Sequence, residues 1–93
     1  MIRCIVELFG LSKEITELSE VEVELNDGAS LGDIIAALRR KMPTLEGRVI
    51  RAGEDRLTAY YAFNVNGRFY FDDINLQLQN DDRVALLSLA TGG

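Results

Sequence analysis

Residues 20–43, EVEVELNDGASLGDIIAALRRKMP, contain a strand, a turn and a helix in immediate succession. Glutamate and apolar residues alternate strictly over 20–25, which is typical of a strand with one buried and one solvated face. An Asn-Asp-Gly turn follows at 26–28. Over 31–42 the apolar residues recur at i, i+3, i+4, i+7 and i+11, the spacing of one helical face. The stretch therefore predicts an edge-proximal strand followed by an amphipathic helix.

The ends of this helix carry their own signals. Ser30 stands where an N-cap is expected, and Asp33 follows three residues later, in the position of a capping box. Basic residues at 39–41 complement the helix dipole in the last turn. Pro43 ends the helix, because the residue before a proline is disfavoured in helical conformation.

Strand patterns occupy both ends of the chain. Alternation over 2–9 predicts a first strand, and the run 83–90 predicts a last one after a turn at 80–82. Within 60–71, YYAFNVNGRFYF, two apolar runs flank Asn-Gly, the strongest short signal for a two-residue hairpin turn. Residues 44–58 have two glycines and mixed charge, and we expect a loop with room for one helical turn.

The order strand, strand, helix, strand, strand, strand predicts an α+β domain. A single helix cannot cover both faces of a sheet, so we expect it to pack on one face. The first two strands are expected to be antiparallel neighbours. The sheet's contribution to the core is predicted to be Ile2, Val6, Val21, Val23, Phe63, Val65, Val84 and Leu86.

The opposite face of the sheet is predicted to be partly apolar. If Val84 points at the helix, alternation turns Ala85, Leu87 and Leu89 away from it. An exposed apolar patch of this kind often marks a protein interface. The alternative is that the 44–58 loop covers this face, and the sequence leaves both possibilities open.

Length and composition exclude several classes of protein. Ninety-three residues suit one domain, which we expect to span 1–93. No apolar run is long enough for a bilayer, and the first ten residues lack a signal-peptide layout, so a cytoplasmic location without a membrane partner is expected. With no histidine and only Cys4, neither a zinc or haem site nor histidine catalysis is expected. The net charge of −5 argues against nucleic acid as the main partner.

The charge is distributed unevenly along the chain. Residues 1–38 carry eight acidic and two basic side chains, whereas residues 39–68 carry three acidic and seven basic ones. The basic middle is either a solvated helix end and loop or a docking patch for an acidic partner.

The sequence closes on Gly92-Gly93, directly after a strand-forming run. One interpretation is a frayed end, in which residues 90–93 form a flexible tail. The other is that the carboxylate of Gly93 is itself a reacting group. Glycine places no side chain beside the acyl carbon, and two glycines adopt backbone conformations that other residues cannot. A narrow active-site tunnel would admit them and reject a bulkier end.

Several motifs, in order, resemble the MoaD/ThiS family of ubiquitin-like sulfur carriers. LFGLSKEIT at 8–16 is similar to the family's first strand and following loop, and SLGDIIAALRRKMPTL at 30–45 to its helix and exit. FNVNGRF at 63–69 matches its Val-Asn-Gly turn, and LQNDDRVALLSLATGG at 78–93 its closing stretch. The resemblance covers nearly the whole chain and implies the β-grasp fold, a mixed sheet of four to five strands with one main helix on one face.

The closing stretch departs from the family pattern at three points, one of which is Leu86-Leu87 in place of an aromatic pair. Asp81 stands where the family has a turn glycine, and Asp tolerates a left-handed conformation less well than Gly. Ser88-Leu89 replace a Pro-Pro pair, so we expect strand pairing to continue further toward the carboxyl end.

The resemblance also implies a mechanism and partners. A MoeB-like adenylating enzyme would use ATP and Mg²⁺, neither bound by this chain, to adenylate Gly93, and a sulfur donor would convert the adenylate to a thiocarboxylate. A MoaE-like catalytic subunit would then use the sulfur to build molybdopterin, so this chain would be the non-catalytic subunit of molybdopterin synthase. Matching the motifs, and adding the apolar patch, gives as partner-binding residues Phe9, Lys13, Phe69, Leu87 and Leu89, together with the tail, whereas Gly93 and Gly92 form the reacting end.

Two rival classes share these features. A protein modifier would be joined to substrate lysines through Gly93, and a noncovalent ubiquitin-like module would not need the tail. Sulfur transfer could also serve another pathway, such as thiamine or cysteine synthesis. Cys4 alternates with core residues, which favours packing over a role as sulfur nucleophile.

Overall fold

The structure is a computed structural model, and it describes residues 1–71 and 73–89. Within these residues, five strands and two α-helices follow one another in the order β1, α1, β2, α2, β3, β4, β5. Their bounds are Ile2–Leu8 for β1, Leu11–Thr16 for α1, Glu20–Leu25 for β2, Leu31–Lys41 for α2, Tyr61–Val65 for β3, Arg68–Tyr70 for β4 and Arg83–Ser88 for β5. A single 3₁₀ turn, Pro43–Leu45, follows α2.

The strands form one mixed sheet in the order β2-β1-β5-β3-β4. β1 pairs with β2 in antiparallel fashion and with β5 in parallel fashion, so the two ends of the chain meet at the centre of the sheet. β3 pairs antiparallel with both β4 and β5. The predicted α+β architecture is confirmed, and β2 lies at an edge as its alternating pattern predicted.

The core lies between α2 and one face of the sheet. Leu31, Ile34, Ile35, Leu38 and Met42, the residues predicted from the helical spacing, are all buried. The expected sheet residues join them, with Ile2 and Val21 only partly buried against the cluster. Cys4 is fully buried among them, as its alternation predicted.

The local signals of the sequence are confirmed in the structure. The backbone N–H of Ser30 donates to Asp33 Oδ2 at 2.9 Å at the start of α2. Asn66 and Gly67 have φ of 52° and 86°, the positive values of a type I′ hairpin turn. Asp81 has φ of 70°, so it occupies the left-handed turn position in place of a glycine.

One segment expected as loop is a helix in the structure. The position of the 44–58 loop decides whether it covers the face of the sheet opposite α2. Residues 11–16, expected as loop, form the short helix α1. The apolar side chains of the 44–58 loop join the core beside α2. This loop therefore does not cover the opposite face of the sheet.

The 44–58 loop is held to α2 by the basic segment. Arg39 Nη2 lies 2.8 Å from Asp55 Oδ1, and its Nη1 donates to the carbonyl of Glu54 at 2.7 Å. Arg51 Nε donates to the carbonyl of Leu57 at 3.2 Å. Part of the basic middle thus has an internal structural role.

Among the residues that the structure describes, no helix is long and apolar enough to span a membrane.

Candidate functional site

The face of the sheet opposite α2 carries an apolar patch around β5. We call Phe69, Ala85, Leu87 and Leu89 the outer patch. Within β5 the inward residues Val84 and Leu86 have no exposed surface, and Ala85 and Leu87 between them are half-buried on the other face. The predicted facing of β5 is confirmed.

Strand register brings the members of the outer patch together. Leu87 pairs with Ala62 across to β3, and Ala85 pairs with Asn64. Asn64 pairs in turn with Phe69 of β4, so Phe69 lies two strands away from Ala85 in the same row. Phe69 is 51% exposed, an unusual state for a large aromatic side chain.

Strand pairing continues beyond the end of β5. The backbone N–H of Leu89 donates to the carbonyl of Tyr60 at 2.7 Å. A proline at 89 would lack this donor, so the departure from the family's Pro-Pro pair has the expected consequence. It leaves Leu89 beside Tyr60, which is 66% exposed. Sequence reasoning missed Tyr60, because only its pairing with a distant residue places it here.

Phe9 lies at the same end of the sheet. It follows Leu8, whose parallel partner is Leu86, and it is 45% exposed. Gly10 turns the chain with φ of 60° and ψ of −130°, and the buried Ser12 donates its Oγ proton to the carbonyl of Phe9 at 2.9 Å. These two residues hold the Phe9 backbone where β1 ends.

Lys13 is less closely tied to the outer patch. It is exposed on α1, the connection between β1 and β2, and its ammonium group makes no ion pair with residues 1–71 or 73–89. The structure thus brings Phe69, Leu87 and Leu89 onto one face, with Phe9 at the adjoining end and Lys13 on the neighbouring helix.

Charged groups border the outer patch on the β1–β2 side. Arg83 Nη2 lies 3.4 Å from Glu7 Oε2 and 3.2 Å from Glu20 Oε2. The face therefore changes from apolar at β5 to charged at β2. Gly92 and Gly93, the expected reacting end, lie outside the described residues.

Cys4 lies away from this face, inside the core. Its Sγ is 3.7 Å from the carbonyl of Gln79. Burial, reinforced by the carboxylates of Asp82 and Asp81, raises the pKa of the Cys4 thiol above its ordinary value. A buried thiol held in its neutral form is poorly suited to nucleophilic chemistry.

Comparison with known proteins gives consistent results. The model of the ThiS family matches residues 6–93. The fold resembles SAMP1 from Haloferax volcanii, with a TM-score of 0.84 and 25% identity over 98% of this chain and 99% of that one. For a putative molybdopterin converting factor subunit 1 from Pyrococcus furiosus, the TM-score is 0.76 and the identity 22%, over 95% of this chain and 98% of that one. For a chain of the Amycolatopsis orientalis BexX/CysO complex, the TM-score is 0.74 and the identity 17%, over 97% of this chain and 99% of that one.

No curated protein sequence matches the chain. The structural similarities identify the fold as the ubiquitin-like β-grasp, as the sequence motifs implied.

Proposed function

Because this chain belongs to the ThiS family of ubiquitin-like carrier and modifier proteins, we propose that it is a sulfur carrier acting through the carboxylate of Gly93. The observation that carries this proposal is the extent of the family match, which reaches residue 93 and so includes the glycine pair. In this proposal the chain supplies an acyl group and no catalytic side chain, so it is a substrate of its partners and not an enzyme.

The proposed chemistry has two steps. An oxygen of the Gly93 carboxylate attacks the α-phosphate of ATP on a MoeB-like adenylating enzyme, which also holds Mg²⁺, and pyrophosphate leaves. Hydrosulfide then attacks the acyl carbon, AMP leaves with the bonding electron pair, and the resulting thioacid loses its proton. The product is a thiocarboxylate. Residues without side chains at 92 and 93 leave the acyl carbon open to both reactants.

The outer patch supports this proposal as a docking surface. Leu89 is still hydrogen-bonded to Tyr60, so only residues 90–93 would have to reach from the sheet into a partner's active site. Four extended residues span at most about 14 Å. A partner that binds the outer patch and Phe9 would therefore place its active site within that distance of the sheet. Lys13 on the neighbouring helix α1 would supply a positive charge beside this contact.

We propose molybdopterin synthesis as the destination of the sulfur, with a MoaE-like catalytic subunit as the second partner. The support is the similarity in fold to the Pyrococcus furiosus protein, together with the length of the chain and the long segment between α2 and β3, which resemble MoaD members more than the shorter ThiS members. Thiamine or cysteine synthesis remains the alternative destination, and the similarity to the BexX/CysO chain is consistent with such a pathway.

A second candidate function is protein modification. The likeness to SAMP1, named a small archaeal modifier protein, is the observation that favours it. The adenylate of Gly93 would then be attacked by a substrate lysine in place of sulfur. Both functions need the same activation, so they separate only at the product.

ATP–pyrophosphate exchange with the activating enzyme tests the proposal. Deleting Gly93, or adding one residue after it, displaces the carboxylate from in-line attack, which needs reacting atoms within about 3–3.5 Å. We expect both variants to lose exchange and to melt like the parent. An intact mass showing oxygen replaced by sulfur supports the carrier, and conjugates on a denaturing gel support the modifier. If the extended variant, shown by mass to be unprocessed, still exchanges normally, Gly93 is not the reacting group and the mechanism is wrong. No exchange by the parent protein would favour the noncovalent binding module.

A further inference from the structure

The outer edge of β2 presents backbone groups that pair with no residue in 1–71 or 73–89. Leu8 N–H donates to the carbonyl of Ser19, whereas Ile5 N–H donates toward β5, to the carbonyl of Asp82. Residues of β1 opposite Val21, Val23 and Leu25 therefore direct their peptide groups at β2. The peptide groups of the alternating glutamates at 20, 22 and 24 consequently face away from the sheet.

The same three residues make this edge acidic. Glu20 lies 3.2 Å from Arg83, an arginine that it shares with Glu7, and Glu22 lies 3.7 Å from Arg3. Glu24 makes no ion pair within the described part of the chain. Carboxylates thus outnumber guanidinium groups along β2, and the surplus negative charge is exposed.

A cleft of about 350 Å³ lies between β2 and α2, on the other side of this edge. Its lining combines the apolar side chains of Leu25, Ala29 and Ala36 with polar and charged ones, Glu24, Asn26, Asp33 and Arg40 among them. A strand added at the edge would direct alternate side chains to opposite faces. One row would meet the glutamates, and the other would point toward the cleft.

We propose that the β2 edge binds an extended segment of a partner protein in which lysine or arginine alternates with small or β-branched apolar residues. Strand addition of this kind takes its affinity from main-chain hydrogen bonds and its specificity from alternate side chains. A second copy of this chain is disfavoured as the occupant, because pairing two β2 edges would bring glutamate rows together. This surface is separate from the outer patch, since β1 lies between β2 and β5.

The first test uses a capped peptide of repeated Lys-Val units and the full chain. In the free protein, the amides of Glu22 and Glu24 should exchange with solvent much faster than that of Val23, which faces β1. Peptide binding should shift the first two amide resonances in NMR spectra and slow their exchange. A Glu-Val peptide should not bind, and added salt should weaken binding of the Lys-Val peptide.

Variants separate the charge from the cleft. Replacing both Glu22→Lys and Glu24→Lys should weaken peptide binding about tenfold or more, because attraction becomes repulsion. Ala36→Gln should also weaken it by filling the cleft without changing charge. Glu14→Lys combined with Glu17→Lys, at two exposed positions on and just after α1, changes the net charge by the same amount; it is the matched control and should bind like the parent. Activation of Gly93 should persist in all three variants.

Three results would overturn the proposal. One is equal binding of the Lys-Val and Glu-Val peptides, or no binding of either. Another is equal weakening by the combined Glu14→Lys and Glu17→Lys control, which would show only an effect of net charge. The third is a set of shifts centred on Phe69 and Leu87, which would move the contact to the outer patch.

Discussion

Leu86 and Leu87 are adjacent in β5 and lie on opposite faces of the sheet. Leu86 is fully buried in the core and pairs with Phe63, whereas Leu87 is half-buried on the other face and pairs with Ala62. One peptide bond thus separates a residue needed for folding from one available to a partner. This pair offers a matched test of the outer patch.

We expect Leu87→Asp to leave the protein folded and to weaken binding to the activating enzyme by a few kcal/mol, as loss of a central apolar anchor does. Leu86→Asp should instead prevent folding, because it buries a charge without a partner. Circular-dichroism melts and calorimetric titration with the enzyme measure the two effects. Unfolding of the Leu87 variant would mean that this side chain belongs to the core.

We expect Gly67→Val to lower the free energy of unfolding by about 1–3 kcal/mol, the range for a strained backbone position. Gly67 has φ of 86°, and an added Cβ would meet no atom within 4 Å, so the cost comes from the backbone alone. Gly67→Asn is the control and should cost less, because asparagine tolerates positive φ. Urea titration gives both values. A folded Val variant that fails in adenylation would reveal a direct contact of the turn with the enzyme.

We expect Arg39→Met to destabilise the protein by about 1–2 kcal/mol, since it removes an ion pair and a hydrogen bond that hold the 44–58 loop. Arg40 is exposed one residue later, so Arg40→Met should change stability by less than about 0.5 kcal/mol. Hydrogen exchange should show faster opening of residues 51–57 in the first variant only. Equal effects of the two changes would assign the loss to helix charge and not to the loop.

We expect Cys4 to resist alkylation in the native protein at neutral pH, because the reagent can reach the buried thiol only when the core opens. In denaturant the alkylation rate should be at least about 100-fold higher. The chain has a single cysteine, so the label is unambiguous. Rapid native labelling would contradict the burial of Cys4.

Because the pKa of Cys4 is raised in the folded state, the free energy of unfolding should fall as pH rises through the alkaline range. The folded state retains the thiol proton above pH 9, the ordinary pKa, where the unfolded chain loses it. This contribution is constant below that pH and is lost as pH rises beyond it. Alkaline destabilisation should therefore be smaller in Cys4→Ala, measured relative to each protein's own stability at pH 7. Equal slopes for the two proteins would contradict the shift.

Much of the local structure could be predicted from the sequence, because its causes lie within a few residues. The alternation in β2, the buried face of α2 and its Asp33 cap, and the Asn66-Gly67 turn all depend on neighbours along the chain. The motif order also predicted the family. The helix α1 was missed because six residues give too short an apolar pattern to distinguish a helix from a loop.

The sequence by itself determined the five strands and the long helix α2, the core-facing residues of those elements, and the glycine pair that suggests the chemistry. Only the tertiary structure decided that β1 lies between β2 and β5, that the 44–58 loop packs beside α2, and that Tyr60 adjoins Leu89. These contacts join residues distant in the chain, and their formation depends on which apolar surfaces can be buried together. No local pattern encodes that choice, so the docking face and the free edge of β2 emerge only when the sheet is assembled.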